Sequence, residues 1–440
     1  MKKTLSILLA VVLCFGLAAC GPQTPTDKPV VTTAPPVSTT APQQTTEKPD
    51  DKPPARELTV WHIYGEGDAM HDTTMAVIKA AEEEFGIKIN AVSEETEAYK
   101  VKCNAAASGG TLPDIFLTWG RSVIGQFIDA GVLVNLSDYM SDDIAENVTD
   151  GSFAEFSKDG NVYGFTDANS VGALFCNTAL FKKYNIDVIP TTWEELGGVC
   201  QAFLDNGVTP FCVGATDAWT LAMYYDIIAV RCVGAEKVAN TFLTNDFSDP
   251  GYLEAAQLLA QAVELGCFRD DAIALNRTEA EADFYGGLIP MMMQGSWTAA
   301  RVYANAENPD DFTAVPFPVI HEDIAGHYSL TGGGQTAFCV SAKTADPAFT
   351  TKVAEFIAQR LADGKFAMGG GISPYKSTPN ETSNALFYKT FEMSTKAESM
   401  TIWFDTGLNA EVKTVYLNKL QELFAGAITP EQFIEAINSF

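Results

Sequence analysis

The sequence predicts an α/β protein folded as two lobes, and three observations lead to that class. Strand-like apolar runs alternate with amphipathic helical segments over residues 56–440, which is the pattern of α/β lobes. This part is about 385 residues long, more than one simple core usually holds. With 47% hydrophobic and 19% charged residues, the composition of the whole chain is that of a globular protein. We therefore expect two α/β lobes behind a separate amino-terminal segment.

Residues 1–19 are predicted to be a signal peptide. Lys2 and Lys3 supply a positive start, residues 4–17 are almost wholly apolar, and small residues precede Cys20, as in a secretory signal. The apolar run is too short to span a bilayer comfortably. The residues before Cys20 resemble the lipobox of bacterial lipoproteins. This resemblance implies that Cys20 is lipidated, with acyl chains such as palmitate. The acyl chains would anchor the protein to the outer face of the cell membrane. The alternative is an ordinary cleaved signal with an incidental cysteine.

The segment from Cys20 to residue 55 is predicted to be an extended linker. Its composition is dominated by Pro and Thr and includes scarcely a large apolar side chain, so it cannot bury enough surface to offset chain entropy. In a polyproline-like conformation of about 3.1 Å per residue, it would reach on the order of 100 Å. We expect a tether that lifts the folded part away from the membrane.

The first elements of the folded part follow from local pattern. Residues 58–63 predict a strand, Asp72 is expected to cap a helix that ends at Gly86, and residues 87–92 predict a second strand. A third strand is expected at residues 114–117. Later helix starts carry cap signals at Thr192 with Glu195, Asp249 before Pro250, Asp346 before Pro347, and Thr429 before Pro430 with Gln432.

Charge and cysteine content narrow the classes of function. The formal net charge of −28 repels nucleic acid and anionic lipid, so neither is expected as a partner. The nine cysteines include Cys14 and Cys20, and the remaining seven are widely spaced. An odd number at such spacings does not indicate a disulfide framework. We expect most of them to be buried small hydrophobes, and a single bridge such as Cys200–Cys212 stays open.

Seven short motifs follow one another along the folded part. They are LPDIF (112–116), AGVLVNL (130–136), NVYGF (161–165), LFCNTALF (174–181), PTTWEEL (190–196), PMMMQGSW (290–297) and GGG (332–334). In this order, the motifs resemble the extracellular solute-binding proteins of ABC importers, specifically the carbohydrate-binding family 1 type. The chain departs from the family pattern at Thr166, where proline is usual, and at Cys176, where tyrosine is common.

The resemblance implies a fold, a set of boundaries and a function. The fold would be the type II periplasmic-binding-protein fold, whose two lobes are joined by crossing strands and close on a ligand. The amino lobe would comprise residues 56–165 and 335–388, and the carboxyl lobe residues 168–330 and 389–440. The implied function is capture of a sugar or oligosaccharide by a monomer, which delivers it to the permease subunits of an ABC transporter without cofactor or catalysis.

A sugar presents flat C–H faces and a rim of hydroxyls, so its site needs aromatic platforms with short polar groups. Of the six tryptophans, Trp193 is expected to be structural, and Trp61 is open between core and cleft. The alternatives for the remaining candidates are core packing and ordinary surface or turn roles. The candidate ligand-binding residues are Tyr64, Glu66, Trp119, Arg121, Asp167, Asn169, Trp219, Trp297, Gly333, Trp403 and Asp405.

Signals for catalysis or metal binding are weak. The four histidines show no HExxH or Cys/His spacing, and the chain has no GxSxG elbow or phosphate-binding loop. We therefore expect no enzyme, metal or cofactor. Because acidic residues are abundant, a secreted carbohydrate hydrolase that uses two carboxylates is one alternative. A sensory surface lipoprotein is the other.

Overall fold

The computed structural model describes residues 56–379 and 381–439. The predicted signal peptide, the lipidation site Cys20 and the linker lie outside these residues. Across the described ranges, the model holds no helix of sufficient length and apolar character to cross a bilayer.

The described chain alternates strands and helices, as the sequence predicts. The strands are β1 (Glu57–His62), β2 (Lys88–Ser93), β3 (Ile115–Thr118), β4 (Ser157–Lys158), β5 (Asn161–Val162), β6 (Phe165–Asn177), β7 (Met291–Gly295), β8 (Phe312–Val315), β9 (Ser329–Val340) and β10 (Ser399–Thr401). The helices are α1 (His71–Phe85), α2 (Thr96–Gly109), α3 (Ser122–Asp129), α4 (Asp142–Asn147), α5 (Thr178–Lys183), α6 (Trp193–Asp205), α7 (Ala218–Val233), α8 (Ala235–Thr244), α9 (Pro250–Glu264), α10 (Arg277–Tyr285), α11 (Thr298–Asn305), α12 (Pro347–Met368), α13 (Ala385–Thr395), α14 (Phe404–Gly407), α15 (Ala410–Phe424) and α16 (Pro430–Ile437).

The main sheet is organised around two long antiparallel strands, β6 and β9. Its order is β2-β1-β3-β9-β6-β7, with β10 beside β9 and β8 beside β6. Strand β9 pairs with β3 through residues 337–340 and with β10 through residues 329–331. Strand β6 pairs with β9 through residues 165–171 and with β7 through residues 172–176. Each long strand therefore runs from one half of the sheet into the other.

Three buried clusters of apolar side chains make up the core. The first draws on residues 58–165 and 337–375, and the second on residues 174–437. The third is smaller and packs Phe366 of α12 and Phe387 of α13 with Phe312 of β8. Because the ends of β6 and β9 belong to different clusters, the two large clusters lie on either side of the segment in which these strands pair.

Most of the predicted helix boundaries are confirmed. Thr192 and Thr429 each form a complete capping box, and the carboxylates of Asp249 and Asp346 cap the helices that start with proline. The role predicted for Asp72 is wrong, because α1 begins one residue earlier and has no side-chain cap. Its predicted end is confirmed by the left-handed conformation of Gly86, with φ 62°.

The seven cysteines of the described chain are buried free thiols, which confirms their prediction as small core residues. The bridge between Cys200 and Cys212 that the sequence left open is not formed. The thiol of Cys200 lies beside that of Cys267, and Cys212 Sγ donates to the carbonyl of Ala280 at 3.0 Å.

Helix α7 crosses the second cluster and is buried from Thr220 to Val233. A helix that is covered on all sides is a core element. Its two buried charged residues, Asp226 and Arg231, both bond to neighbouring segments. Its first residues reach the edge of the second cluster, where Trp219 packs against it.

Candidate functional site

A cavity of about 1030 Å³ is lined by residues of both large core clusters. One wall is formed by the segments that follow β1, β2 and β3. Because these strands are parallel, their carboxyl ends meet at one edge of the sheet, where ligands of open α/β sheets bind. The opposite wall is formed by the start of α7, by α10 and by the segments around Trp297 and Trp403.

Three tryptophans form a continuous row on the second wall. The rings of Trp219 and Trp297 have centroids 6.2 Å apart, and the same separation holds between Trp297 and Trp403. Trp403 is 7% exposed and belongs to the buried second cluster, although it also lines the cavity. The indole Nε1 of Trp219 is buried and has no hydrogen-bond partner among the described residues.

Trp119 lines the first wall, one residue after β3. Its ring packs edge-on against Tyr99 with centroids 6.1 Å apart, and Lys100 Nζ lies 5.0 Å from the ring centroid. Of the other two tryptophans, Trp61 packs against the first cluster and Trp193 lies against Phe317 in the second. The structure therefore places Trp119 and the three-tryptophan row on opposite walls of the cavity.

A glycine at the end of β7 makes room for the middle tryptophan of the row. A Cβ atom at Gly295 would overlap the indole ring of Trp297, so any larger residue would displace the ring. The carbonyl of Val171 in β6 accepts a hydrogen bond from Ser296 N at 2.8 Å. The backbone is thus fixed immediately before Trp297.

A buried carboxylate holds the turn that carries Trp403. Asp226 of α7 accepts hydrogen bonds from Phe404 N at 3.0 Å and from the hydroxyl of Tyr416 at 2.5 Å. Burial raises the pKa of Asp226 well above its usual value, although these two donors act in the opposite direction. Asp226 therefore links the row of tryptophans to the core helix.

Lys365 lies at the floor of the cavity, between the two walls. Its Nζ lies 3.0 Å from Asp167 Oδ2, with side-chain exposures of 1% and 0%. Asp167 Oδ1 also accepts a hydrogen bond from the hydroxyl of Thr336 at 2.7 Å. Burial lowers the pKa of Lys365, but Asp167 and Tyr64 outweigh it, so the net pKa is raised. Burial and Asp167 raise the pKa of Tyr64 to about 12, which keeps its hydroxyl protonated as a hydrogen-bond donor.

A second charged network lies on α10. Glu281 is 3% exposed, and its carboxylate accepts hydrogen bonds from Arg277 at 2.9 Å, from the Tyr285 hydroxyl at 3.0 Å and from Gln294 at 3.2 Å. Arg301 Nη1 lies 3.6 Å from the same carboxylate. That nitrogen is buried and makes no hydrogen bond to any described residue. Arg301 Nη1 is therefore a buried donor at the cavity wall that makes no hydrogen bond within the described chain.

Asp405 lies beside Trp403 and near charges from both walls. Burial raises its pKa, while Lys100 of α2 and Lys413 of α15 act to lower it. The pKa of Lys413 is lowered, again mainly by burial. Since α2 belongs to the first wall and α15 to the second, the carboxylate is positioned between opposing cations of the two walls.

The structure brings together most of the residues proposed from sequence. Tyr64, Glu66, Trp119, Trp219, Trp297, Trp403 and Asp405 all line the cavity.

Four of the proposed residues lie outside the cavity wall in the described chain. Asp167 is buried behind Lys365, and the side chain of Asn169 bonds to Ser152 Oγ at 3.2 Å. Arg121 precedes α3, and its backbone N donates to the carbonyl of Glu155 at 2.6 Å.

Gly333, the last of these four, has φ 142°, and a Cβ atom there would overlap the carboxylate of Glu155. Its neighbour Gly334 lines the cavity instead and donates through its backbone N to Glu155 Oε1 at 2.9 Å. The glycine run therefore brings its backbone to the cavity at residue 334.

Sequence reasoning missed the charged residues that helices contribute to the cavity. Lys365, Glu281 and Arg301 each lie within a helix among ordinary polar and apolar neighbours. An isolated charge in an amphipathic helix indicates a solvated face far more often than a site. Only the packing of α10, α11 and α12 turns these side chains inward, so no local signal identifies them.

Comparison with known proteins decides the family. Residues 76–385 match the family model described as bacterial extracellular solute-binding protein. The chain belongs to the bacterial extracellular solute-binding proteins. An uncharacterized ABC transporter extracellular-binding protein of Pyrococcus horikoshii is 26% identical to it over 395 residues, covering 86% of this chain and 81% of the relative.

Two solved structures resemble the solute-binding protein over most of its length. One comes from work on xylan utilization by the thermophilic bacterium Caldanaerobius polysaccharolyticus, with a TM-score of 0.82, 28% identity and coverage of 87% of this chain and 99% of that one. The other is a chitin oligosaccharide binding protein, with a TM-score of 0.79, 24% identity and coverage of 87% and 97%. The predicted type II solute-binding fold is thereby confirmed.

Proposed function

We propose that this solute-binding protein captures a sugar or oligosaccharide in its cavity and delivers it to the permease of an ABC transporter. The main support for the proposal is the row formed by Trp219, Trp297 and Trp403, with Trp119 on the opposite wall. Flat aromatic faces match the apolar C–H faces of sugar rings, and amphipathic rings contribute large contact areas. The four tryptophans offer platforms to both faces of a ligand.

Unsatisfied polar groups in the cavity support a ligand that carries hydroxyls. Trp219 Nε1 is buried and finds no acceptor within the described part of the chain, and Arg301 Nη1, 3.6 Å from the Glu281 carboxylate, makes no hydrogen bond there. A buried donor without a partner costs about 1–3 kcal/mol, and a bound hydroxyl would remove that cost. An apolar ligand would leave the cost in place.

The size of the cavity supports an oligosaccharide. Its volume of about 1030 Å³ lies at the upper end of the roughly 300–1,000 Å³ range of small-molecule sites. The row of three rings offers stacking positions for several units. The two similar solved structures, one from work on xylan utilization and one that binds chitin oligosaccharides, also favour this ligand class.

The proposed mechanism is closure of two lobes on the ligand. We place the lobes at residues 56–165 with 335–388 and 168–330 with 389–440, because the two large core clusters separate near the first crossings, at about residues 165 and 335. A ligand that touches both walls only in the closed form shifts the open–closed equilibrium by its difference in affinity for the two forms. The permease would then recognise the closed form, and no bond in the ligand would be broken.

Three buried carboxylates near the cavity are engaged within the protein. Glu281, Asp167 and Asp226 each accept at least two hydrogen bonds or ion pairs from protein groups. A glycosidase needs a pair of carboxyls free to act on the substrate, and because other carboxylates, such as Glu66 and Asp405, also line the cavity, product analysis distinguishes binding from hydrolysis.

The first experiment is a calorimetric titration of the purified full chain with xylo- and chito-oligosaccharides of increasing length. We expect saturable binding to one of the two series, with no new products by chromatography after prolonged incubation. Product formation would establish the hydrolase. Binding without any loss of uptake when the gene is deleted would establish the sensory lipoprotein.

The second experiment tests the membrane anchor that we propose at Cys20. Cys20→Ala should move the chain from the membrane fraction to the medium, with unchanged affinity for the sugar. An unchanged distribution would show that the segment is an ordinary signal.

A further inference from the structure

Three side chains with metal-binding atoms meet outside the cavity. Cys232 lies at the end of α7, Glu254 in α9, and His321 in the segment between β8 and β9. One ligand atom from each lies within 4.8 Å of the other two. The distance between His321 Nε2 and Glu254 Oε1 is 2.9 Å. We propose that these three residues bind a zinc ion.

The ligand set favours zinc over other cations. A thiolate, an imidazole and a carboxylate with an open fourth position are typical tetrahedral zinc donors, with bonds of about 2.0–2.3 Å. Such bonds place the donor atoms roughly 3.3–3.8 Å apart, whereas His321 Nε2 and Glu254 Oε1 now lie 2.9 Å apart and no pair in the set is more than 4.8 Å apart. Calcium and magnesium require all-oxygen sites, and the thiolate excludes them. A water molecule would complete the coordination.

The two helices are locked together at this point independently of any metal. Gly251 lies in the first turn of α9, and a Cβ atom there would overlap the carbonyl group of Cys232. Glycine therefore permits the backbones of α7 and α9 to approach closely. Since Glu254 follows Gly251 by about one helical turn, its side chain is placed beside the thiol.

The third ligand is held by Arg231, the neighbour of Cys232. Arg231 is fully buried, and its Nη2 donates to the carbonyls of Phe317 at 2.8 Å and His327 at 3.0 Å. These carbonyls lie on either side of His321 in the chain. The segment is thus fixed against α7 before an ion binds, which reduces the conformational cost of forming the site.

The exposure of the three residues gives the ion a route to the site. The side chains of His321 and Glu254 are 37% and 42% exposed, whereas Cys232 is buried behind them. Zinc would enter from the solvent side and replace the thiol proton, which is released to water, so that one Zn–S bond forms as one S–H bond breaks. The ion would then join α7, α9 and the segment between β8 and β9.

The proposed site is separate from the sugar cavity. None of its three residues lines the cavity, and Cys232 lies six residues beyond Asp226, the last residue of α7 that does, which corresponds to about 9 Å along a helix. We therefore expect zinc to stabilise the fold without a change in sugar affinity. Failure of either proposal leaves the other intact.

The test uses the full chain, freed of metal by chelation under reducing conditions, with Zn²⁺ and Co²⁺ as probes. Glu254→Gln and His321→Asn alter half-exposed side chains and should keep the fold, whereas Cys232→Ser tests the buried ligand. His327→Asn is the matched control, because it lies in the same segment and contacts Arg231 through its backbone carbonyl. Melting temperatures without metal verify that each variant is folded.

We expect saturable zinc binding in the wild type and the control, with a raised melting temperature and a thiolate-to-cobalt charge-transfer band with Co²⁺. Substitution of a residue in the outer coordination sphere lowers metal affinity by roughly 10–100-fold, and each ligand variant should lose at least that much zinc affinity. Cys232→Ser should also lose the charge-transfer band. Equal zinc affinity in the wild type and the three ligand variants would overturn the proposal. So would a wild-type cobalt spectrum without the charge-transfer band.

Discussion

Lys365 and Asp167 form an ion pair of 3.0 Å in which both side chains are inaccessible to solvent. Asp167 lies at the first of two register shifts in the pairing of β6 with β9, and such irregularities redirect side chains. Lys365 belongs to α12, so the pair joins that helix to the strands that run through both halves of the sheet. A buried charge without its partner is strongly destabilising. The pair therefore fixes the junction of α12 with the two long strands, β6 and β9.

The first prediction concerns the stability of this junction. Lys365→Met and Asp167→Asn should each lower the free energy of unfolding by about 3–5 kcal/mol, because each leaves one buried charge alone. The double variant should lose clearly less than the sum of the two. Lys396→Met, which removes an exposed ion pair with Glu392, should change stability by about 0.5 kcal/mol or less. Denaturant unfolding measures the free energy of unfolding of all four variants. Additive losses in the double variant would contradict the assignment of Lys365 and Asp167 as a buried ion pair.

The second prediction concerns the tryptophan row. Trp297→Ala and Trp403→Ala should each weaken sugar binding by about 1–3 kcal/mol, because each removes an aromatic contact from the cavity. Trp193→Ala is the control, since that ring packs against Phe317 away from the cavity. It should lower stability and leave affinity unchanged. Calorimetric titration distinguishes the two effects, and unchanged affinity in both cavity variants would refute this site.

The third prediction uses a glycine to displace a ring without removing it. Gly295→Ala should weaken sugar binding, because the added methyl group overlaps the indole of Trp297. Gly197→Ala in α6 meets nothing within 4 Å among the described residues and should raise stability by up to about 1 kcal/mol. Titration and thermal unfolding of both variants provide the test. Wild-type affinity in Gly295→Ala would show that the position of the Trp297 ring is not important.

The fourth prediction follows from the raised pKa of Asp226. A carboxyl with a higher pKa in the folded state stabilises the fold fully below its unfolded pKa of about 3.9, and this contribution is lost as pH rises to the folded pKa. The stability of Asp226→Asn relative to the wild type should therefore increase from pH 4 to pH 8. Thermal unfolding at pH 4 and pH 8 measures this difference in stability between Asp226→Asn and the wild type. A constant difference would show that the pKa of Asp226 is not raised in the folded state.

Local signals predicted the helix ends and the strands well because they act within a few residues. The capping boxes at Thr192 and Thr429 form as expected, since a cap needs only the first turn of its helix. Asp72 was misassigned because an acidic residue is also favourable within the first turn. The tryptophans of the cavity were identifiable because polar or glycine-containing segments precede or follow them.

The rest of the site depends on packing between distant segments. Lys365 and Asp167 are separated by about two hundred residues, and the packing of α12 against β6 and β9 brings them together. The three proposed zinc ligands, Cys232, Glu254 and His321, are likewise distant in sequence. Because they match no metal-binding spacing, the sequence did not indicate a metal site. Gly333 was chosen over Gly334 because sequence does not specify which backbone faces the cavity.

The most direct test of the sugar-binding claim is a thermal-shift screen of the full chain against mono- and oligosaccharides, with amino acids and peptides as controls. A ligand at about 100 times its Kd adds about 2.7 kcal/mol of stability, which is a shift of a few degrees. We predict such a shift with at least one oligosaccharide, and its loss in the Trp297→Ala, Trp403→Ala double variant. No shift with any sugar, or an equal shift in the double variant, would contradict the proposed function of this cavity.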